Sequence, residues 1–595
     1  MALKKRLWQW ENWILALAAV LILGSLIGIF FDYYYDLNDD VLMKDILAGV
    51  YTGSPEGHNI QMLWPVSAFI SLLYRIAGRL PWYGLFLCGC HFGCIFLITQ
   101  RAVLLCGKIW GKLAIALTAG CFFGSFFLEH LVYAQYTVTC TLLGATAAFL
   151  FYTGNSDQKP TAFIRSNALS IVLVWIAYLI RSEMLLLVLP MICAAGMAKW
   201  GSEKKIFTKE NTCKYFGVIG LILLGIVLGQ GVHRIAYGSA SWKAFNEFFD
   251  NRTELYDFQK PPAYEGNESF YESIGLTESE RVLLDNYNFG MDAEIDEKMM
   301  GEIAAYAGAL RDSETVFADN MTDKLRAYCY RTVHGKGVPG SDYPWNYLVI
   351  FGYLAVLLTA FWTRDLKVLW KLPLLFFVRS GLWMYILWGE RDPVRITHSL
   401  YLMEFCILAA MTFDQWGRMK NLRGKKFFGT FLIAGLLLFV LVTLPASVGF
   451  VSEQQIYREE VNAPYKELYA YLSGEENAGR FYFIDVYSSV SYCEKMFENV
   501  DNSLDNYDIM GGWACKSPLW QKKLALFEIN DMEQALRERE DVFFVRKIGE
   551  DMEWMSVYYQ EHGTPVEIRL IETIAEEFEI YAVSPAEGLQ AAEGA

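Results

Sequence analysis

The feature that most limits the fold of this chain is its recurrence of long apolar runs. A helix needs about 20 apolar residues to cross a bilayer. Runs of about that size fall at 12–31, 81–103, 110–128, 131–152, 167–181, 183–198, 216–236, 346–362, 368–388, 396–413 and 427–447. They predict a polytopic α-helical membrane protein with about eleven transmembrane helices. The runs 167–181 and 183–198 are short, and become one bent helix if Arg181 and Glu183 lie inside it. A further stretch, MLWPVSAFISLLYRIA at 62–77, is shorter and contains Pro65. It predicts a helix lying in or near the interface. The first run follows MALKKRLWQWENW and has no small-residue cleavage site, so it reads as an uncleaved signal anchor.

Charge orients the spans. Cytoplasmic connections are enriched in Lys and Arg. With Lys4, Lys5 and Arg6 inside, alternate connections also fall inside, and each is basic: Arg101, Lys108 and Lys112; Lys159 and Arg165; Lys199, Lys204 and Lys205; Arg364, Lys367 and Lys371; Arg418, Lys420, Arg423, Lys425 and Lys426. The segments left outside are acidic. Residues 238–345 carry 20 acids against 10 bases, and residues 450–595 carry 29 against 12. Each therefore holds a large share of the negative charge in a chain of net −15. An odd number of spans puts the C-terminus outside.

The segmentation predicts a transmembrane part over 1–449, with outer loops at 32–80 and 238–345, and an extracytoplasmic α/β domain over 450–595. In that last part FYFIDVY, DVFFVRK, VEIRLIETI and EFEIYAV read as strands, with helices between them at 531–540 and 551–561. The GGW at 511–513 is a turn, not a phosphate cradle. Asn-x-Ser/Thr triplets at Asn251, Asn267 and Asn320 fall in the long outer loop. Most cysteines lie in or beside apolar runs, where a thiol acts as a small hydrophobe. Cys329, Cys493 and Cys515 show no metal-type spacing. Seven scattered histidines make no metal signature.

Chemistry-bearing residues gather in three places. The loop FFDYYYDLNDDVLMKDILAGVYTGSPEGHNIQMLWP, 30–65, holds six acids among tyrosines. Its adjacent Asp39 and Asp40 cannot both point one way on a short helix. One carboxylate at the membrane boundary suits general-base work on a sugar hydroxyl. Capping a helix that begins near Val41 is the simpler reading of the same pair. His58, in SPEGHNIQ, either contacts substrate or is an ordinary surface histidine. Arg181 and Glu183 interrupt an apolar stretch, as polar-site residues do, or pair in a short turn. The connection GERDPVRITHSL holds Arg391, Arg395 and His398 beside Glu390 and Asp392. Arginine forks suit phosphate, and local ion pairs are the alternative.

The order of these elements resembles the GT-C superfold of membrane glycosyltransferases, which use polyprenyl-phosphate-linked sugars. A first span leads to an acidic loop motif, NDDVLMKDI, then to SPEGHNIQMLWPVSAFISLLYRI and a second span at PWYGLFLCGCHF. Next come the Arg-x-Glu break in IRSEMLLLVLP, a large loop, an Arg-containing connection and a C-terminal domain. The resemblance spans roughly residues 1–450. It implies sugar transfer from a polyprenyl-phosphate donor to a glycan, lipid or protein acceptor at the outer face of a cell membrane. It gives the base role to Asp39 or Asp40 and points to Arg391 and Arg395 for the carrier phosphate. Some members use a divalent metal, so one is possible here, and no cofactor is otherwise implied. Membrane lipid is the other expected partner, and nucleic acid is not one. A lipid-linked oligosaccharide polymerase or ligase would share the loop and arginines but dispense with the acidic pair. A flippase or transporter would show repeat symmetry, which the two halves lack. A scaffold would use its tail to hold a partner.

Overall fold

A computed structural model describes residues 2–314, 317–336, 341–418, 425–498 and 502–586. Each of the eleven expected runs is helical over most of its length, with run 131–152 crossing a short strand at Tyr133–Ala134 before its helix begins at Tyr136. Among the described residues nine helices are long and apolar enough to cross a membrane, ten if the bent pair Pro160–Ser166 and Ala168–Ile180 counts as one span. Two expected spans account for the difference. Run 167–181 is the helix Ala168–Ile180, only 13 residues long and bent 51° from the helix before it. Run 368–388 is the helix Lys371–Trp388, with Lys371 and Arg379 buried along it. Arg181 is extended, at φ −152° and ψ 97°, so 167–181 and 183–198 are two helices and not one. The basic connection expected around Lys420 and Arg423 lies outside the described residues.

The bundle is built around Tyr136–Thr153, of which 89% is buried, whereas Lys209–Ala236 is 11% buried and sits at the rim. Sequence explains the difference. The central helix reads YTVTCTLLGATAAFLFYT, with Gly, Ala and Thr letting neighbours approach closely. A Cβ on Gly144 would come within 3.2 Å of Met403. The rim helix instead turns Leu224, Val227, Leu228 and Ile235 outward, where a lipid-facing surface wants them.

Two pieces of sheet matter for the site. Strand β1 (Tyr34–Tyr35) pairs in parallel with β2 (Tyr133–Ala134), Tyr34 opposite Tyr133. This clamps the first loop onto the start of the central helix. The C-terminal region forms a five-stranded sheet from β3 (Phe481–Ile484), β4 (Tyr507–Ile509), β5 (Val542–Lys547), β6 (Val566–Ile574) and β7 (Phe578–Pro585). Its order is β4-β3-β5-β7-β6, with β4, β3 and β5 parallel, β7 antiparallel to β5, and β6 antiparallel to β7. The four expected strands are there, with the short β4 added at the edge. One face of this sheet shares a core with the long loop. Phe248, Leu255, Leu283 and Phe289 pack with Phe481, Phe544, Trp554 and Tyr559. The tail also touches the first loop directly, through Tyr35 N–H to Glu494 O at 3.0 Å and Met496 N–H to Tyr33 O at 2.8 Å.

Candidate active site

The acidic pair lies in the first turn of the helix Asn38–Ala48. The helix begins three residues before Val41, and its N-cap is Leu37, which offers no side-chain cap. The capping reading therefore gives way: both carboxylates are inside the first turn, where the helix dipole favours negative charge. The far end closes at Gly49, φ 94°, where a Cβ would lie 2.6 Å from the Ser54–Pro55 backbone. Only glycine fits that left-handed, crowded turn.

The two acids differ sharply. Asp40 is fully buried. Its Oδ1 accepts a 2.6 Å hydrogen bond from the Tyr83 hydroxyl, and its Oδ2 has no partner. Burial pushes its carboxyl well above the usual range, opposed by the Tyr83 bond and reinforced by Asp39 and Asp36. Asp39 is half-buried, and its carboxylate makes no hydrogen bond or ion pair among the described residues. Its charge acts on Arg181 and Tyr136.

Arg181, at the break between two helices, fixes the next side. One Nη1 donates to Gln61 Oε1 at 2.8 Å and to the Tyr136 hydroxyl, while Nε lies 3.4 Å from Glu183. The guanidinium also sits 4.9 Å from the Tyr136 ring centre. The extended backbone at Arg181 is what lets this side chain leave the helix path. Arg395 lies at the start of the helix Val394–Arg418. Its charge acts on Tyr136 and on Asp36. It is half-buried and, among the described residues, its guanidinium makes no hydrogen bond or ion pair.

Behind these lies a second polar group. The β1–β2 clamp sets Asp36 beside the short helix Leu128–Val132, and Asp36 N–H bonds Ala134 O at 3.1 Å. Arg458 meets it from the long helix Lys425–Leu472, with Nη2 3.0 Å from Asp36 Oδ1 and the guanidinium 4.2 Å from the Tyr133 ring. Glu129 is pushed up to about 7, mainly by burial, with Asp36 adding and Arg458 opposing. Glu129, His130 and His398 offer ligand atoms within 4.8 Å of one another. His130 Nε2 and His398 Nδ1 are 3.0 Å apart, and burial lowers His130 to about 4, keeping its ring neutral. One carboxylate and two imidazoles, one of them held neutral by burial, suit a divalent ion.

Tyr136 thus feels the charges of Asp39, Arg181 and Arg395, with the buried Asp40 carboxyl nearby. Other residues named from sequence are placed apart by their bonds. Arg391 is 2.7 Å from Asp257 and stacks on Phe258. Glu390 pairs with Lys324 at 2.7 Å, and Asp392 with Arg331. The ion pairs of the 389–400 connection exist, with partners drawn from the long loop and not from one another. Arg379 is locked to Glu404 at 2.9 Å. His58 is held by Glu56 at 2.8 Å and Ala236 O at 3.2 Å, stacked on Trp242. It joins two loops. Sequence reading missed the parts played by Gln61, Tyr83, Glu129, His130, Tyr136 and Arg458. The Glu129–His130 pair between two apolar runs was the available signal.

No family model matches this chain, and no curated protein does. Two solved structures are similar to it. One is ArnT from Cupriavidus metallidurans bound to undecaprenyl phosphate, at TM-score 0.38 and 10% identity, over 96% of this chain and 97% of that one. The other is the same protein in its apo state, at TM-score 0.37 and 10% identity over the same shares. Likeness at this level assigns no residue a role. The site's own chemistry is a carboxylate, Asp39, and a guanidinium, Arg395, that both act electrostatically on Tyr136 and make no hydrogen bond or ion pair among the described residues. A second arginine and a carboxylate–imidazole cluster lie alongside. That set can accept a proton at one end and stabilise anionic oxygen at the other.

Proposed function

We propose that this chain is a membrane glycosyltransferase that moves a sugar from a polyprenyl-phosphate donor to an acceptor on the outer face, with its C-terminal region on that same side. The observation that carries the reading is that Asp39 and Arg395, neither hydrogen-bonded nor ion-paired among the described residues, both bear electrostatically on Tyr136, which Arg181 bonds. Half-buried ionic groups without partners are costly in a folded chain. A substrate with a hydroxyl at one end and a phosphate at the other would satisfy both.

Asp39 takes the acceptor's hydroxyl proton as the acceptor oxygen bonds to the anomeric carbon. The bond from that carbon to the phosphate oxygen breaks, and its electron pair leaves with the polyprenyl phosphate. Arg395 and Arg181 stabilise the departing charge. Asp40, uncharged in its buried setting, keeps the helix start in place and is a positioning residue. A divalent ion held by Glu129, His130 and His398 would add positive charge for anionic oxygen. Arg391 and His58 bind no substrate in this reading.

Two measurements test it. Sugar transfer in membranes carrying Asp39→Asn is expected to fall by about 10²–10⁴-fold, the usual share of a general base. Native mass spectrometry of the purified chain with polyprenyl phosphate is expected to show binding that Arg395→Gln weakens and Arg391→Gln does not. Full transfer by the Asp39 variant, or lipid binding indifferent to Arg395, overturns the assignment.

A further inference from the structure

A second cluster of ligand-type side chains lies far along the chain from this site, where the long loop meets the C-terminal sheet region. Glu280, Asp292 and His562 offer ligand atoms within 4.8 Å of one another. Glu280 is in the first turn of the helix Glu278–Asp285, Asp292 follows the turn Phe289–Met291, and His562 ends the helix Glu553–Glu561. Two of the three are buried, Glu280 at 4% and Asp292 at 4% exposure.

Each side chain is tied to the main chain on one side and left open on the other. Glu280 Oε2 accepts from Thr277 N–H at 2.7 Å, closing a capping box, while Oε1 faces His562 Nε2 at 3.1 Å. Asp292 Oδ1 accepts from Glu294 N–H at 2.7 Å, while the buried Oδ2 has no donor. Lys516 bonds the main-chain carbonyls of Asp292 and Ile295, not this carboxylate. His562 Nδ1 lies 2.8 Å from Tyr558 O, so Nδ1 carries the proton. Nε2 faces Glu280 Oε1, to which a protonated ring donates and a neutral ring presents its lone pair. With the ring neutral, carboxylate oxygen, carboxylate oxygen and imidazole lone pair are three acceptors in one small space. Acceptors repel unless something electron-poor lies among them. A ring nitrogen whose partner N–H is fixed by a main-chain carbonyl is the usual setting of a metal-bound histidine.

We propose that Glu280, Asp292 and His562 form a divalent-cation site, of the kind zinc fills, that fastens the long loop to the C-terminal sheet region. Two oxygens and one imidazole nitrogen match zinc's ligand preferences, with water completing the shell at the exposed His562 edge. Ligand atoms on a tetrahedral zinc lie about 3.4 Å apart. Small side-chain rotations of His562 and Glu280 bring the cluster to that size. The site is separate from Glu129, His130 and His398, and its role is to hold two parts of the molecule together.

The test uses the full-length chain in detergent, stripped with chelator, dialysed against zinc chloride and assayed for bound metal and thermal unfolding. The His398→Gln background removes a ligand from the other cluster. In that background His562→Ala and Asp292→Asn are each expected to lose one equivalent of zinc per chain and the zinc-dependent rise in Tm. Glu280→Gln keeps the capping box, since glutamine serves there as well. It is expected to abolish the rise of Tm with zinc. Equal zinc content with and without His562 overturns the proposal. So does a zinc-independent Tm, which would mean that a proton is what the three groups share.

Discussion

Asp39 and Asp40 are chemical neighbours in different solvents. Asp40 is buried from water, and Tyr83 donates to its Oδ1. Its raised folded-state pKa has a definite stability consequence. Below its ordinary value of 3.8 the carboxyl is protonated in folded and unfolded chains alike. As the pH rises past that value the unfolded chain ionises and the folded one does not. Stability therefore falls, by about 1.4 kcal/mol per pH unit, until the folded-state pKa is passed. Asp40→Asn does not titrate, so its Tm relative to the wild type is expected to rise as the pH increases above 3.8. A difference that is flat with pH would contradict a buried neutral acid. Tyr83→Phe removes the hydrogen bond to Oδ1 and is expected to cost about 1–3 kcal/mol in thermal unfolding. No sequence pattern distinguishes the two aspartates, because adjacent positions on a helix differ in setting only through what packs against them. That packing comes from Tyr83, which is 43 residues away.

At the scale of elements, the site is assembled by helices that end or break where a charge is needed. The helix Lys425–Leu472 is 48 residues, about 70 Å at 1.5 Å per residue. It is twice what a span requires, and the excess carries Arg458 to Asp36. The apolar run alone marked the span, and nothing in it foretold the extension. Strands were legible where aromatic and β-branched residues concentrate, as in β3, β5, β6 and β7. The three-residue β4 was not, since its pairing with β3 decides it and its composition does not. Removing Arg458 leaves Asp36 largely buried and uncompensated, with burial already the largest influence on its carboxyl. Arg458→Leu is expected to lower stability by about 3 kcal/mol. Pairing it with Asp36→Asn should recover much of that loss. A double variant as unstable as the single one would mean that packing against Tyr133, and not charge, is Arg458's contribution.

At the scale of the whole molecule, the polytopic helical class, the acidic loops and the C-terminal strands could be read from the chain because each depends on local composition, whereas two of the eleven expected spans fall short of crossing length or apolarity. The way the parts fit together could not. The long loop and the sheet region are separated by more than a hundred residues of membrane-type helices, yet they share one core. Leu283, Phe289, Met291 and Met300 from the loop are fully buried against Phe481, Phe544 and Met555 from the tail. A fragment of residues 476–586 would turn that face to water. Contiguous apolar surface of this kind drives association. Expressed alone, the fragment is expected to aggregate or bind a hydrophobic dye strongly. Supplying residues 238–345 as a second chain should reduce both. The loop covers the sheet's apolar face while the other face packs on the helix end near Tyr465 and Leu468. The sheet is thus held between two pieces of the membrane part. A fragment that stays monomeric, with amide protection throughout β3, β5 and β7, would show that the tail is autonomous and that the loop merely rests on it.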